Sequence, residues 1–173
     1  MATKKSIVVL FEILVILTWV LGSTIQVSAE TMNFKFYTWA IRAESLAVTG
    51  LEGHVVELQL RGSFYVFEKG EVATVNAVLA GDWIKRSGSF TQYLTINFQD
   101  SSTIIIKSQE MIQTTPAGAT SGMWAGVIIK GTGRFEGIKG THIAKAKYLL
   151  LEKGEVGQRG YGEGTITYTL PSK

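Results

Sequence analysis

One carboxyl group of this sequence falls on an apolar face. Glu110 is in phase with Ile104, Ile106 and Ile112 in a period-two pattern, which places its side chain among aliphatic neighbours. Burial disfavours the charged form of a carboxyl group and raises its pKa, so such a residue could act as an acid or a base near neutral pH. The alternative is that Glu110 ends its strand at a wet rim.

A histidine occupies a similar position later in the chain. His142 alternates in phase with Ala144, Ala146 and Tyr148, and the small alanine side chains leave space beside the imidazole. An imidazole next to free space could bind a ligand or transfer protons, which makes His142 the second catalytic candidate. A satisfied core or interface histidine is the other interpretation. His54 begins its strand and is predicted to lie at a rim.

Further candidates would contact a ligand without reacting with it. Asn76 shares a face with Val78 and other apolar residues, and its amide could hydrogen-bond a ligand carbonyl or a neighbouring tyrosine hydroxyl. A ligand cavity needs a few polar groups among apolar walls. The residues predicted to bind a ligand in this way are Asn76, Tyr148, Phe34 and Phe36.

The composition excludes several kinds of chemistry. The chain has no cysteine, so thiol catalysis and thiolate metal sites are excluded. Its two histidines show neither H-x-H nor H-x-x-x-H spacing, and no G-x-S-x-G segment marks a nucleophilic serine. We therefore predict a protein that uses neither a metal nor a cofactor.

The charge of the chain argues against a nucleic-acid partner. The formal net charge is +3 over 173 residues, and it falls to +2 without the amino-terminal segment that holds Lys4, Lys5 and Glu12. A polyanion-binding domain usually concentrates far more positive charge than this. We predict a small hydrophobic ligand and no nucleic acid.

The first 29 residues have the order of a targeting segment. Lys4 and Lys5 precede an apolar run from Ile7 to Leu21, and Val27-Ser28-Ala29 supplies the small residues of a cleavage site. We predict a helical signal peptide that is cleaved after Ala29, which makes the protein secreted or periplasmic. The alternative is an uncleaved helix that anchors the protein, and it would be the only contact with a membrane.

The remaining residues, 30–173, show period-two alternation and scarcely any helical periodicity. Turn signals rich in glycine, serine and charged residues separate about eight short strands, and no segment is long enough for a crossover helix. Neighbours in sequence should therefore pair antiparallel. The sequence predicts an all-β domain in which one sheet closes into an up-and-down barrel, because closure removes the exposed edges. A two-sheet sandwich is the alternative.

A glycine-rich segment of the sequence resembles a segment of a known family of barrels. Residues 131–140, GTGRFEGIKG, follow an apolar strand and resemble the G-x-G-x-F-x-G-x-x-G segment of the allene oxide cyclase and dirigent superfamily. Residues 164–170 are similar to the last strand of bacterial, largely unassigned members. No helix follows the glycines, so the segment lacks the amino terminus that holds a pyrophosphate in nucleotide sites. We predict a structural corner formed by Gly131, Gly133, Gly137 and Gly140, with Phe135 plugging one end of the barrel.

The resemblance implies an eight-stranded antiparallel barrel around an apolar cavity, often assembled as dimers or trimers. Plant members isomerise or orient small hydrophobic molecules inside that cavity. Their catalytic residues do not carry over to this chain. Residues 33–41 contain no carboxylate where the cyclases place one, the pocket cysteine is missing, and the acidic and tyrosine constellation of dirigent proteins has no match.

Three functions remain open at this point. The first is an exported barrel that binds a small hydrophobic molecule in its lumen without a cofactor. The second is a cofactor-free isomerase or cyclase in which Glu110 is the acid or base. The third is a structural or assembly barrel whose interior is filled by its own side chains.

Overall fold

The computed structural model describes residues 28–85, 87–150 and 157–172. The predicted amino-terminal helix lies outside these residues. The described chain forms eight strands and one short 3-10 turn, Gly133–Phe135. The strands are β1 (Glu30–Ala47), β2 (His54–Phe67), β3 (Val72–Ile84), β4 (Ser87–Phe98), β5 (Thr103–Thr114), β6 (Thr120–Thr132), β7 (Lys139–Tyr148) and β8 (Arg159–Thr169). No helix within the described ranges is long and apolar enough to cross a membrane.

Each strand pairs antiparallel with the next, and β8 pairs with β1 to close the barrel. The closing ladder runs from the pair Glu30 and Tyr168 to the pair Trp39 and Arg159. Closure gives every strand two partners, which removes the free edge strands that an open sheet would have. The predicted closed antiparallel barrel of eight strands is confirmed, and the sandwich alternative is wrong.

Alternating side chains line the barrel interior. In β5, for example, the even-numbered residues from Ile104 to Ile112 are all buried, whereas the odd-numbered residues between them are exposed or half-buried. Aromatic rings close the end where β6 meets β7, which we call the aromatic end. Its rings are those of Phe34, Phe67, Phe98, Phe135 and Tyr168.

The glycine-rich segment turns the chain at the aromatic end. Gly133 and Gly137 have positive φ angles of 61° and 74°, a conformation that other residues rarely adopt. A Cβ atom on Gly131 would lie 2.1 Å from the carbonyl oxygen of Phe135, so only glycine fits there. The turn places the ring of Phe135 against Phe98, with 4.9 Å between the ring centroids.

The outside of β1, β2 and β3 carries a contiguous set of apolar side chains, which we call the apolar outer face. Its members are each 39–52% exposed: Tyr37, Ile41, Val56, Leu58, Leu60, Phe64, Val66 and Val78. The set is contiguous because Tyr37 pairs with Phe64 and Leu60 pairs with Val78 across the strands. A surface of this kind is uncommon on a protein that stays monomeric.

Candidate functional site

The end of the barrel opposite the aromatic end contains a pocket of about 420 Å³, which we call the mouth pocket. The first residues of β2 and β6 and the last residues of β3 and β7 form its wall. Apolar and polar groups both face it, among them Val55, Glu57, Gln59, Trp83 and Tyr148. Most ligand pockets combine an apolar wall with a few polar groups in the same way.

A buried ionic network lies at the inner side of the mouth pocket. Arg61 is 2% exposed, Glu110 is 0% exposed and Tyr148 is 8% exposed. Arg61 Nη1 donates to Glu110 Oε2 at 2.9 Å and to the Tyr148 hydroxyl at 3.1 Å. The Tyr148 hydroxyl in turn donates to Glu110 Oε1. Both oxygens of the carboxylate are therefore engaged inside the protein.

The same network extends to the surface of the mouth pocket. Arg61 Nε donates to Gln59 Oε1 at 2.7 Å, and Arg61 Nη2 donates to Gln158 Oε1 at 3.4 Å. Gln59 Nε2 donates to Glu57 Oε1. A continuous chain of hydrogen bonds thus joins the half-buried Glu57 to the completely buried Glu110, and its members Glu57, Gln59 and Tyr148 line the pocket.

The electrostatics of the network keep its protons in place. Burial works against the charge of Arg61, but the adjacent Glu110 and Tyr148 outweigh it and raise the pKa of the guanidinium. Burial and the neighbouring Glu110 raise the pKa of Tyr148 well above its ordinary value. Arg61 is consequently a permanent cation, and Tyr148 retains its proton as a hydrogen-bond donor. A buried ion pair of this kind is tolerated because hydrogen bonds satisfy it on several sides.

One polar atom near the mouth pocket has no partner among the described residues. Trp83 is 8% exposed and its indole Nε1 makes no hydrogen bond. The indole ring is held edge-on against Phe90, with a centroid distance of 4.9 Å. Because Trp83 lines the mouth pocket, its N–H group can donate to a bound molecule.

The two catalytic candidates lie inside the barrel. Glu110 is completely buried, so the alternative of a wet rim is wrong, and it is joined to the ligand-binding candidate Tyr148. His142 is 1% exposed and lies on the inner wall, where its ring stacks on Phe34 with 5.7 Å between centroids. Burial lowers the pKa of His142 to about 4, so the imidazole is neutral at pH 7.

His142 is not a satisfied core histidine, because neither ring nitrogen has a partner in the described part of the chain. Phe34 and Phe36 also face the interior, and they occupy the space over the glycines of β8. His54 lies at the rim, where its Nε2 is 2.9 Å from Asp82 Oδ2. The structure therefore brings Glu110 and Tyr148 together and leaves His142 and the phenylalanines outside their network.

The expected inward orientation of Asn76 is wrong. Asn76 is exposed on the outer side of β3, whereas Val75 and Ala77 on either side of it are buried. The strand is apolar in both phases, so alternation alone did not separate the inner from the outer residues. Asn76 lies beside the apolar outer face and away from the lumen.

Arg61, Gln59 and Trp83 were missed by reasoning from the sequence. Each lies on a strand whose other face is also apolar, which hides a polar residue directed inward. One signal was available for Arg61 and Gln59. Both have the same parity as Tyr65 and Phe67, so two of the three aromatic residues of β2 lie in their phase, while Phe64 lies in the other.

Within the described ranges, no group of three or more histidine, aspartate or glutamate side chains is placed to hold a metal ion. The ionic network contains the carboxylate of Glu110, but Arg61 occupies the position that a cation would take.

Comparisons with known proteins identify the fold alone. No protein-family model matches the sequence, and no curated protein matches it. The pterocarpan synthase dirigent protein GePTS1 has a similar structure, with a TM-score of 0.51 and 15% identity over 84% of this chain and 91% of that one. The pterocarpan synthase dirigent protein PsPTS1 gives a TM-score of 0.50 and 13% identity over 84% of this chain and 97% of that one. The chain described above is thus a dirigent-like barrel in its fold.

Proposed function

We propose that this barrel binds a small hydrophobic molecule at its mouth without the help of a cofactor. The observation that carries the proposal is the mouth pocket of about 420 Å³, which apolar and polar side chains line together and whose wall includes Trp83, a residue with an indole N–H that has no partner among the described residues. Pockets of roughly 300–1,000 Å³ are typical of small-molecule sites. The similarity in fold to two pterocarpan synthase dirigent proteins supports a role for the barrel in holding a small molecule.

The polar groups of the mouth pocket define what the ligand should carry. Trp83 Nε1 is a donor only, so it calls for an acceptor oxygen on the ligand. Gln59 and Tyr148 are already held by Arg61 and Glu110, which fixes their orientation before a ligand binds. Such preorganisation reduces the entropic cost of binding. We infer a largely apolar molecule with at least one carbonyl or ether oxygen.

A Trp83→Phe variant tests this proposal. The variant keeps an aromatic ring but loses the N–H donor, so the affinity for an oxygen-bearing hydrophobic compound should fall roughly two- to tenfold. Binding is measured by calorimetry after a thermal-shift screen of terpenoids, phenols and lipids. Trp124→Phe is the matched control, because Trp124 is 7% exposed and does not line the mouth pocket. Failure of every compound to stabilise the protein would reject a binding function and favour the structural barrel.

A cofactor-free isomerase of the allene oxide cyclase type is the second candidate. The observation in its favour is the tyrosine and carboxylate pair, Tyr148 and Glu110, which is shielded from water next to the mouth pocket. Against it, both oxygens of Glu110 are engaged by Arg61 and Tyr148. An isomerase should lose turnover in a Tyr148→Phe variant while it retains substrate affinity. A binding protein would have no turnover to lose.

The apolar outer face supports a further proposal, that the protein is a homodimer or homotrimer. The apolar outer face contains eight large side chains, and each of them is about half exposed. Burial of the exposed half of each side chain contributes on the order of 1 kcal/mol to the free energy of association. The eight side chains together contribute roughly 8 kcal/mol, before the entropic cost of association is subtracted. A second copy of the chain is the partner that is always present at the same concentration.

We also propose export with cleavage after Ala29, with a retained membrane anchor as the alternative.

A further inference from the structure

A row of inner-wall residues crosses the barrel and contains an unusual number of polar side chains. The row follows the pairing between neighbouring strands, from β2 through β8. Its members, in that order, are Gln59, Leu79, Gln92, Ser108, Gly126, His142 and Ile166. The row begins at the mouth pocket, since Gln59 lines that pocket.

Three members of this row have hydrogen-bonding atoms without partners. The atoms are Gln92 Nε2, Ser108 Oγ and both ring nitrogens of His142, and none has a partner among the described residues. Gln92 and His142 are each 1% exposed, and Ser108 is 3% exposed. Unsatisfied polar atoms are rare in protein interiors because each one costs free energy. Three such residues on one row indicate a common cause.

The three residues face one region of the lumen. Gln92 and Ser108 are direct cross-strand partners on the inner face, so their Cβ atoms lie about 5 Å apart. Gly126, which carries no side chain, separates Ser108 from His142. The flat face of His142 is covered by Phe34, so the edge with the nitrogens is what remains for hydrogen bonding. We call these three residues the neutral polar belt.

We propose that the neutral polar belt is a second hydrogen-bonding site of the barrel and that it binds a hydroxyl group of the ligand. The inference rests on the proposed binding function and deepens it. No side chain of the row is charged at neutral pH, because burial keeps the imidazole of His142 neutral. An anion or a cation would therefore find no counter-charge, since Arg61 and Glu110 already pair with each other.

A hydroxyl group fits the belt better than a carbonyl group does. A neutral imidazole offers one donor and one acceptor, a serine hydroxyl offers both, and Gln92 Nε2 is a donor. A ligand hydroxyl can accept from Gln92 and donate to His142 or Ser108, whereas a carbonyl can only accept. Ser108 is two residues from Glu110 on the same strand face, which separates their Cα atoms by about 7 Å. The ligand would then be a compact ring system with an acceptor oxygen at one end and a hydroxyl at the other.

Two probes of nearly the same shape test the inference. The probes are 2-naphthol and 2-methylnaphthalene, which differ by a hydroxyl group in place of a methyl group. In Ser108→Ala and Gln92→Leu variants of the full chain, the affinity for 2-naphthol should fall roughly two- to tenfold relative to the wild type. The affinity for 2-methylnaphthalene should remain unchanged. Circular dichroism and melting curves establish that the variants are folded.

A measurement on the wild type keeps the test valid if the variants do not fold. The imidazole NMR signals of His142 should shift more with 2-naphthol than with 2-methylnaphthalene. His54 is an internal reference, because it lies at the rim, is paired with Asp82 and is not part of the pocket wall.

Equal responses of His142 to the two probes, or an unchanged affinity for 2-naphthol in both variants, would overturn the inference while binding itself stands. If the wild type bound neither probe, the proposed binding function would fail, and the inference would fail with it.

Discussion

The buried ion pair between Arg61 and Glu110 should dominate the response of this protein to mutation. Glu110→Gln keeps the size of the side chain but removes its charge, and it leaves the guanidinium of Arg61 buried without a counter-ion. Removal of one partner from such a pair costs about 3–5 kcal/mol. We expect a loss of this size in the free energy of unfolding, measured by urea denaturation. That loss could equal a third or more of the stability of a typical domain.

Two comparisons make this prediction specific. The double variant Arg61→Met with Glu110→Leu should cost much less than the sum of the single variants, because no unpaired charge remains in the interior. Glu163→Gln is the matched control, since Lys145 Nζ and Glu163 Oε1 are also 2.9 Å apart but the side chains are 71% and 56% exposed. It should change the free energy of unfolding far less, because water screens an exposed pair. A loss below about 1 kcal/mol in Glu110→Gln would refute the argument.

The remaining predictions concern assembly, pH and processing. Leu58→Lys should convert the assembled protein into monomers in analytical ultracentrifugation, whereas Val127→Lys, at an equally exposed site on β6, should not; a wild type that stays monomeric would contradict this. The lowered pKa of His142, about 4, means that the unfolded chain binds an extra proton between pH 4 and pH 6.5. The contribution of His142 to the free energy of unfolding should therefore be complete above pH 6.5 and should decline by up to about 3 kcal/mol as the pH falls to 4. This decline should be missing in the His142→Leu variant. The exported protein should have the mass of residues 30–173, and the mass of the whole chain would instead support the anchor.

The barrel itself could be predicted from the sequence because its signals are local and repeated. Alternation in eight segments, turn residues between them and the lack of room for crossover helices leave few other ways to pair the strands. Phe34 and Phe36 are buried as expected, since neither polar residues nor bulges disturb the alternation around them. Glu110 was found because a carboxylate stands out on the isoleucine face of β5.

The partners of Glu110 could not be predicted in the same way. Pairing between Glu110 and Arg61 joins residues 49 positions apart, and their meeting depends on how far the tilted strands shift around the barrel. Alternation states which residues share a face, but it does not state which face is inside. Asn76 was assigned to the wrong side of β3 for this reason, and Gln59 and Arg61 went unnoticed in β2.

One choice of phase in β2 accounts for both the polar mouth and the apolar outer face. Tyr65 is 3% exposed and stacks on Phe34 with a centroid distance of 4.3 Å, so the aromatic end fixes the odd-numbered residues of β2 inside. The pairing of β2 with β3 contains no register shift from Val55 to Val66, and that parity therefore extends along the whole strand. Arg61 and Gln59 must then face inward, and Leu58 and Leu60 must face outward. A shift by one residue would reverse every side chain. The aromatic packing at one end thus requires a buried cation near the other end and apolar side chains outside, which links the proposed ligand site to the proposed interface.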